Sequence, residues 1–239
     1  MSLNLEDTLA EIVTASPSLA RDLERFGLDY CCGGTATLEQ SCRENDLDPD
    51  DVRAALDAAL VDEPAPPWST MDLLELLDHI ESTHHRYLHE ELPRLSALTL
   101  KVVEVHGDRH PELAAIGSCF AEIRADIEPH LMKEERVLFP MMRELVTAAD
   151  VPAFPCGPLQ NPISAMLYEH ETLGELLGNL RKLTGGYAPP ADGCGSYVAL
   201  FDGYEHLELD THLHIHKENY LLFPEVVRLE SARQQTAAT

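Results

Sequence analysis

The residues with chemistry to offer come as a repeated pair. His130-Leu-Met-Lys-Glu134-Glu-Arg-Val-Leu-Phe139-Pro140 returns further along as His214-Ile-His-Lys-Glu218-Asn-Tyr-Leu-Leu-Phe223-Pro224, and both copies obey H-x2-K-E-x3-L-F-P. On an α-helix, residues four apart share one face about one turn (roughly 5–6 Å) apart. Each copy therefore sets one imidazole beside one carboxylate. Mixed nitrogen and oxygen donors suit a borderline transition metal, iron above all where two carboxylates can bridge two ions. The alternative is a pair of amphipathic helices with surface ion pairs. The helical pattern opposes it, because His and Glu of both copies fall on the apolar stripe.

Four helices must position these residues. Ser69-Thr70 is expected to cap the first, which runs to about Leu92 with apolar residues at 73, 77, 80, 84/85 and 87/88. The second reads Leu113, Ile116, Phe120, Ile123, Ile127, His130, Glu134, Val137, Met141. The third reads Ile163, Met166, His170, Leu173, Leu177, Leu180, and the fourth Tyr197, Leu200, Tyr204, Leu207, Thr211, His214, Glu218, Leu221. This 3-4 spacing predicts an all-α chain, its larger part an up-down-up-down four-helix bundle. Through the midsection of the last three stripes, the strongly polar groups are His130, Glu134, His170, His214 and Glu218. Buried without partners, such groups cost several kcal/mol each, and metal cations would offset that cost.

The first sixty residues read as short helices with cap signals at Ser16-Pro17, Thr35 or Thr37, and Asp48-Pro49, and a stop at Gly27. Between the second and third lies Asp29-Tyr-Cys31-Cys32-Gly-Gly34. Two readings stand here: thiols on a tight turn just before a helix N-terminus, which favours thiolate, or two small hydrophobes plugging a miniature core. A bond between adjacent cysteines closes a strained ring, so a free dithiol is expected. Proline density in Glu63-Pro-Ala-Pro-Pro67 marks a stiff linker. The expected division is an N-terminal helical domain over 1–62, a linker over 63–68 and the bundle over 69–239.

Composition narrows the class. A chain of 239 residues with 44% apolar content can bury a sizeable core, and no apolar run approaches the ~18–20 residues of a membrane span. The formal charge of −25 repels phosphate backbones and anionic lipid, which argues against nucleic acid and membrane as partners. Six cysteines do not make the dense framework of a small secreted domain, and the N-terminus shows no secretory leader. A cytoplasmic protein is expected.

The turn Asp29-Tyr-Cys-Cys-Gly-Gly34 ahead of two H-x3-E-x4-F-P segments resembles the di-iron RIC (repair of iron centres) proteins, from about Leu5 to Pro224. The resemblance implies a hemerythrin-like bundle with two Fe ions, held by five histidines and two glutamates and bridged by the carboxylates and an oxo or hydroxo group. Matched residue by residue, these fall on His85, His106, His130, Glu134, His170, His214 and Glu218. Helical phase alone serves His84 as well as His85. One straight helix would hold His85 and His106 roughly 30 Å apart, so either Pro93 and the turn before Pro111 let the chain fold back, or His106 is not a ligand. His212 and His216 are expected to face solvent or stand behind the ligands, and Glu169 to orient an imidazole.

The resemblance also implies repair of iron–sulfur clusters damaged by nitric oxide or peroxide, with damaged iron–sulfur proteins as partners. Imidazoles with only two carboxylates carry little ligand charge, which suits release of an iron. Cys31 and Cys32 would take that iron or a nitrosyl group, or dock at the damaged cluster. The same ligands would serve a nitric oxide reductase, or a carrier or sensor of nitric oxide or dioxygen, and the sequence does not separate these. A ferritin-like oxidase fits less well, since only Glu81-x-x-His84 has the E-x-x-H form. A homodimer stays open.

Overall fold

The computed structural model describes residues 3–60 and 66–237, and over them the chain is all-α. Four short helices come first: α1 (Leu9–Ala15), α2 (Ala20–Phe26), α3 (Leu38–Glu44) and α4 (Pro49–Ala59). Side-chain oxygens of Thr8, Thr37 and Asp48 accept from the free N–H groups that open α1, α3 and α4. Gly27 ends α2 at φ +73°, a left-handed conformation that needs no Cβ. Residues 63–65 of the expected linker lie outside the described residues. The first bundle helix is capped by Asp72, in a box with Glu75, rather than by Ser69-Thr70.

Three of the four long helices carry a π turn. Helix α5 joins Leu73–Ile80, a π turn at Glu81–His85, and Arg86–His106. Helix α6 joins Glu112–Lys133, a π turn at Glu134–Leu138, and Phe139–Thr147, and α7 is Gln160–Leu183 without interruption. Helix α8 joins Gly195–Lys217, a π turn at Glu218–Leu222, and Phe223–Ala237. Each long helix packs against the next, and α8 closes the ring on α5. In both motif copies the widened turn ends two residues before the proline, and the intervening Phe139 and Phe223 donate five residues back, to the carbonyls of Glu134 and Glu218. That is where proline already denies the helix an N–H.

The extra residue moves the buried face. An unbroken α-helix would carry the stripe from Glu134 to Val137, whereas Val137 is 53% exposed and Leu138, Met142 and Leu145 are buried. In α8, Leu222 and Val226 are buried in place of the expected Leu221. In α5, the π turn brings His84 and His85 inward together. Helix α5 also runs on past its expected end at Leu92. Pro93 lies exposed on the outer face, so the carbonyl it leaves without a donor meets water.

Two apolar clusters fill the molecule, one on each side of the π turns. The upper one gathers Leu76, Leu77, Ile80, Leu138, Phe139, Met142, Ile163, Leu222 and Val226. The lower one runs from bundle residues such as Leu92, Phe120, Leu177 and Leu207 into Leu9, Val13, Leu23, Leu38 and Leu56 of the N-terminal helices. Those helices therefore lie on the bundle and share its core.

Candidate metal centre

Between the two clusters, the structure gathers two overlapping sets of donors whose atoms lie within 4.8 Å of one another: His85, Glu134, His214, Glu218, and His130, Glu134, His170, Glu218. Helix α5 contributes His85, α6 His130 and Glu134, α7 His170, and α8 His214 and Glu218. Glu134 turns Oε2 toward His85 Nε2 at 3.5 Å and Oε1 toward His130 Nε2 at 3.3 Å. Glu218 turns Oε1 toward His214 Nε2 at 3.1 Å and Oε2 toward His170 Nε2 at 3.2 Å. Each carboxylate thus offers one oxygen to each set, the arrangement of a bridging ligand. Within a set, imidazole nitrogens face each other at 3.2 Å, His85 with His214 and His130 with His170.

All four carboxylate oxygens of Glu134 and Glu218 are buried, and none has a hydrogen-bond partner. Orphaned charges at zero exposure are not tolerated without a counter-charge, so these residues fit metal cations. Burial works against the charged form of Glu218, yet the His214 and His170 imidazoles outweigh it and hold its carboxyl well below the usual range. The two motif phenylalanines stack on donors, Phe139 on His85 at 5.3 Å and Phe223 on His170 at 6.0 Å.

Behind the donors, the two motif copies diverge. His130 Nδ1 lies 2.9 Å from Glu169 Oε2, and His170 Nδ1 lies 2.8 Å from Asn219 Oδ1. Partners of this kind fix an imidazole so that Nε2 presents its lone pair. Glu169 in turn pairs with Lys133, half exposed. The equivalent Lys217 is buried instead, 2.6 Å from His84 Nε2, 3.1 Å from His79 Nε2 and over the Trp68 ring. Burial lowers its pKa to about 8. The His84 ring stacks on His214 at 5.5 Å, but its nitrogens go to Asp210 (Nδ1, 2.9 Å) and to this ammonium, which separates it from His85.

His106 is not brought to the centre. The continuous α5 carries it to the end of the bundle, where Nε2 lies 3.1 Å from Cys194 Sγ and Nδ1 3.2 Å from the Arg109 guanidinium. Nor do His212 and His216 face solvent. His212 Nδ1 is 2.9 Å from Glu24, and His216 Nε2 is 3.0 Å from Thr14, so both fasten the N-terminal helices to α8.

Cys31 and Cys32 lie beside the centre. Their sulfurs are unbonded at 3.6 Å, and Cys32 Sγ is 3.5 Å from the carbonyl of His170. The following helix starts where expected, with Thr37 as the cap of α3, but its end is not what holds the turn. Asp29 caps it instead, accepting from the N–H groups of Cys31, Cys32 and Gly33. The Cys32 contact, burial and the Asp29 charge together push the Cys31 thiol well up, so it is held protonated rather than as thiolate. Gly34 has to be glycine: a Cβ there would stand 2.4 Å from the Tyr30 carbonyl and 2.9 Å from the Tyr220 ring. The dithiol also borders a cleft of about 520 Å³ between the N-terminal helices and α7.

A bundle that sinks four imidazoles and two shared carboxylates in its middle has the build of a hemerythrin-type cation-binding protein. Residues 76–226 match the Hemerythrin HHE cation binding domain, and residues 5–60 match ScdA_N, a domain of unknown function (DUF542). The iron-sulfur cluster repair protein YtfE of Enterobacter sp. (strain 638) is 34% identical over 92% of this chain and 96% of its own length. The probable iron-sulfur cluster repair protein of Haemophilus influenzae is 31% identical over 93% of this chain and 97% of its own. The chain belongs to the hemerythrin HHE family, in the two-part form of the iron–sulfur cluster repair proteins. Among the described residues, no helix is long and apolar enough to cross a membrane.

Proposed function

We propose that this chain repairs damaged iron–sulfur clusters by donating iron from a two-ion centre held by His85, His130, Glu134, His170, His214 and Glu218. The reading rests chiefly on the four unpartnered oxygens of two buried carboxylates, each shared between two sets of imidazoles. The names of the relatives carry the same role. When bound, the ions supply cargo; the protein holds, screens and releases it. Two carboxylates leave two divalent ions only half neutralised, which weakens their hold compared with a carboxylate-rich site.

The dithiol turn lies beside the α7 donor, for Cys32 Sγ is 3.5 Å from the backbone carbonyl of His170, so a thiol there would be placed to receive released iron. Soft sulfur ligands there, once an ion displaces the thiol proton, suit iron bound for an iron–sulfur protein. We take residues 1–62 as the unit that presents this turn, and 69–239 as the unit that stores the iron. Replacing Cys31 and Cys32 by Ala is expected to lower iron transfer to a cluster-depleted acceptor about tenfold or more, the range of a lost ligand-supporting group. Bound iron should stay near two per chain. Transfer at the wild-type rate by the double variant would remove the thiols from the function.

A further inference from the structure

Asn219 and Tyr220 follow the donor Glu218 inside one π turn, and both reach the dithiol turn. Asn219 Oδ1 lies 2.8 Å from His170 Nδ1, and Asn219 Nδ2 donates to the carbonyl of Cys31 at 2.9 Å. Tyr220 Oη accepts from the N–H of Gly34 at 2.8 Å and donates to the carbonyl of Cys32 at 3.1 Å. The first motif copy has Glu135 and Arg136 at these places; Glu135 Oε1 stands 3.2 Å from His85 Nδ1, but among the described residues neither side chain is bonded to the dithiol turn.

The chemistry gives this chain a direction. His170 would hold an ion through the Nε2 lone pair, and its proton would then sit on Nδ1 and donate to Asn219 Oδ1, 2.8 Å away. With Oδ1 taken, the amide of Asn219 turns its N–H toward Cys31. Without an ion, the proton has a second resting place at Nε2, which faces Glu218 Oε2 at 3.2 Å. Nδ1 is then an acceptor opposite Oδ1, two lone pairs repel, and the amide can satisfy His170 only by turning its N–H away from Cys31.

We propose that Asn219 is a positioning residue that ties the dithiol turn to occupancy of the centre: metal at His170 holds residues 31–34 in place, and its departure frees them. This deepens the repair reading and rests on it, for it would present the thiols as iron leaves. Linkage makes the tie reciprocal, so a fixed turn also strengthens binding at His170.

The test uses the full chain, without metal and loaded with Co(II), and reads two signals. One is hydrogen exchange at the Gly34 amide; the other is maleimide labelling of Cys32, with the exposed Cys194 as internal reference. Co(II) is expected to slow both in the wild type by about fivefold, the factor carried by one ordinary hydrogen bond. Asn219→Asp keeps an acceptor for His170 but loses the donor to Cys31. It should bind Co(II) within about threefold of wild type and show no protection of the turn. Asn219→Ala should lose protection and weaken binding about tenfold, as expected for loss of a group that supports a metal-bound imidazole. Identical wild-type signals with and without Co(II) overturn the proposal, with no variant needed. Full protection retained in Asn219→Asp overturns it as well, since the ion would then be shielding the thiols directly. A chain that binds no Co(II) fails the two-ion reading itself, whereas binding without protection removes only the link.

Discussion

Two groups of histidines sit at different heights of one bundle, and they differ in what completes them. At the centre, His85, His130, His170 and His214 surround carboxylates that the protein leaves without hydrogen bonds. At the end, His106 has both ring nitrogens occupied, one by Cys194 and one by Arg109, and its ring packs on Tyr197 at 5.4 Å. The protein leaves the acids of the first group open; it finishes the second group itself. Buried histidine alone therefore does not mark a metal site. Unsatisfied acid beside it is what points to one.

The sharpest way to break the contrast is to remove a shared carboxylate. Glu218→Ala takes one oxygen from each donor set, and is expected to weaken metal binding more than about 100-fold, beyond the effect of losing an outer partner. Elemental analysis after desalting should then find fewer than one ion per chain. Two ions retained would show that Glu218 does not bridge.

A smaller effect is expected at the other end. The N–H groups of Tyr197 and Ser196 at the start of α8, with the His106 imidazole, lower the Cys194 pKa to about 7. A thiol reacts as thiolate, so its alkylation rate should rise with pH and pass half-maximum near pH 7. In His106→Ala the midpoint should move up, toward the ordinary ~8.5. An unmoved midpoint would deny the pairing.

The smallest expected change is the most discriminating. His106→Ala should leave metal content as in the wild type and cost about 1 kcal/mol of stability, the usual scale for one lost side-chain contact network at a helix end. Loss of an ion in this variant would return His106 to the centre.

The placing of the donors was legible because the motif repeats, and because His and Glu four apart must share a helical face. His170 was legible from an unbroken 3-4 stripe, which α7 keeps. What failed had local causes. Pro93 suggested a break in α5, and with it a path for His106, but an outward-facing proline leaves only a solvated carbonyl without a donor. The π turns left no periodic trace, since five residues cannot set a 4.4-residue repeat apart from 3.6. They explain why Val137 and Leu221 were assigned inward and Leu138 and Leu222 were not. The burial of Lys217 and the exposure of Lys133 were hidden for another reason. Both occupy the same motif position, and only the packing of α5 and Trp68 over one of them tells the two apart.

The three π turns leave a lasting mark on the molecule. Each inserts a residue, and so rotates everything beyond it by about 100° relative to everything before. All three fall level with the donors, so the top of the bundle is wound out of phase with the bottom, and α7 alone passes through unaltered. A helix borrowed from an ordinary bundle could mesh with either half but never with both. Any single-residue deletion in 81–85, 134–138 or 218–222 would unscrew one end of the core from the other.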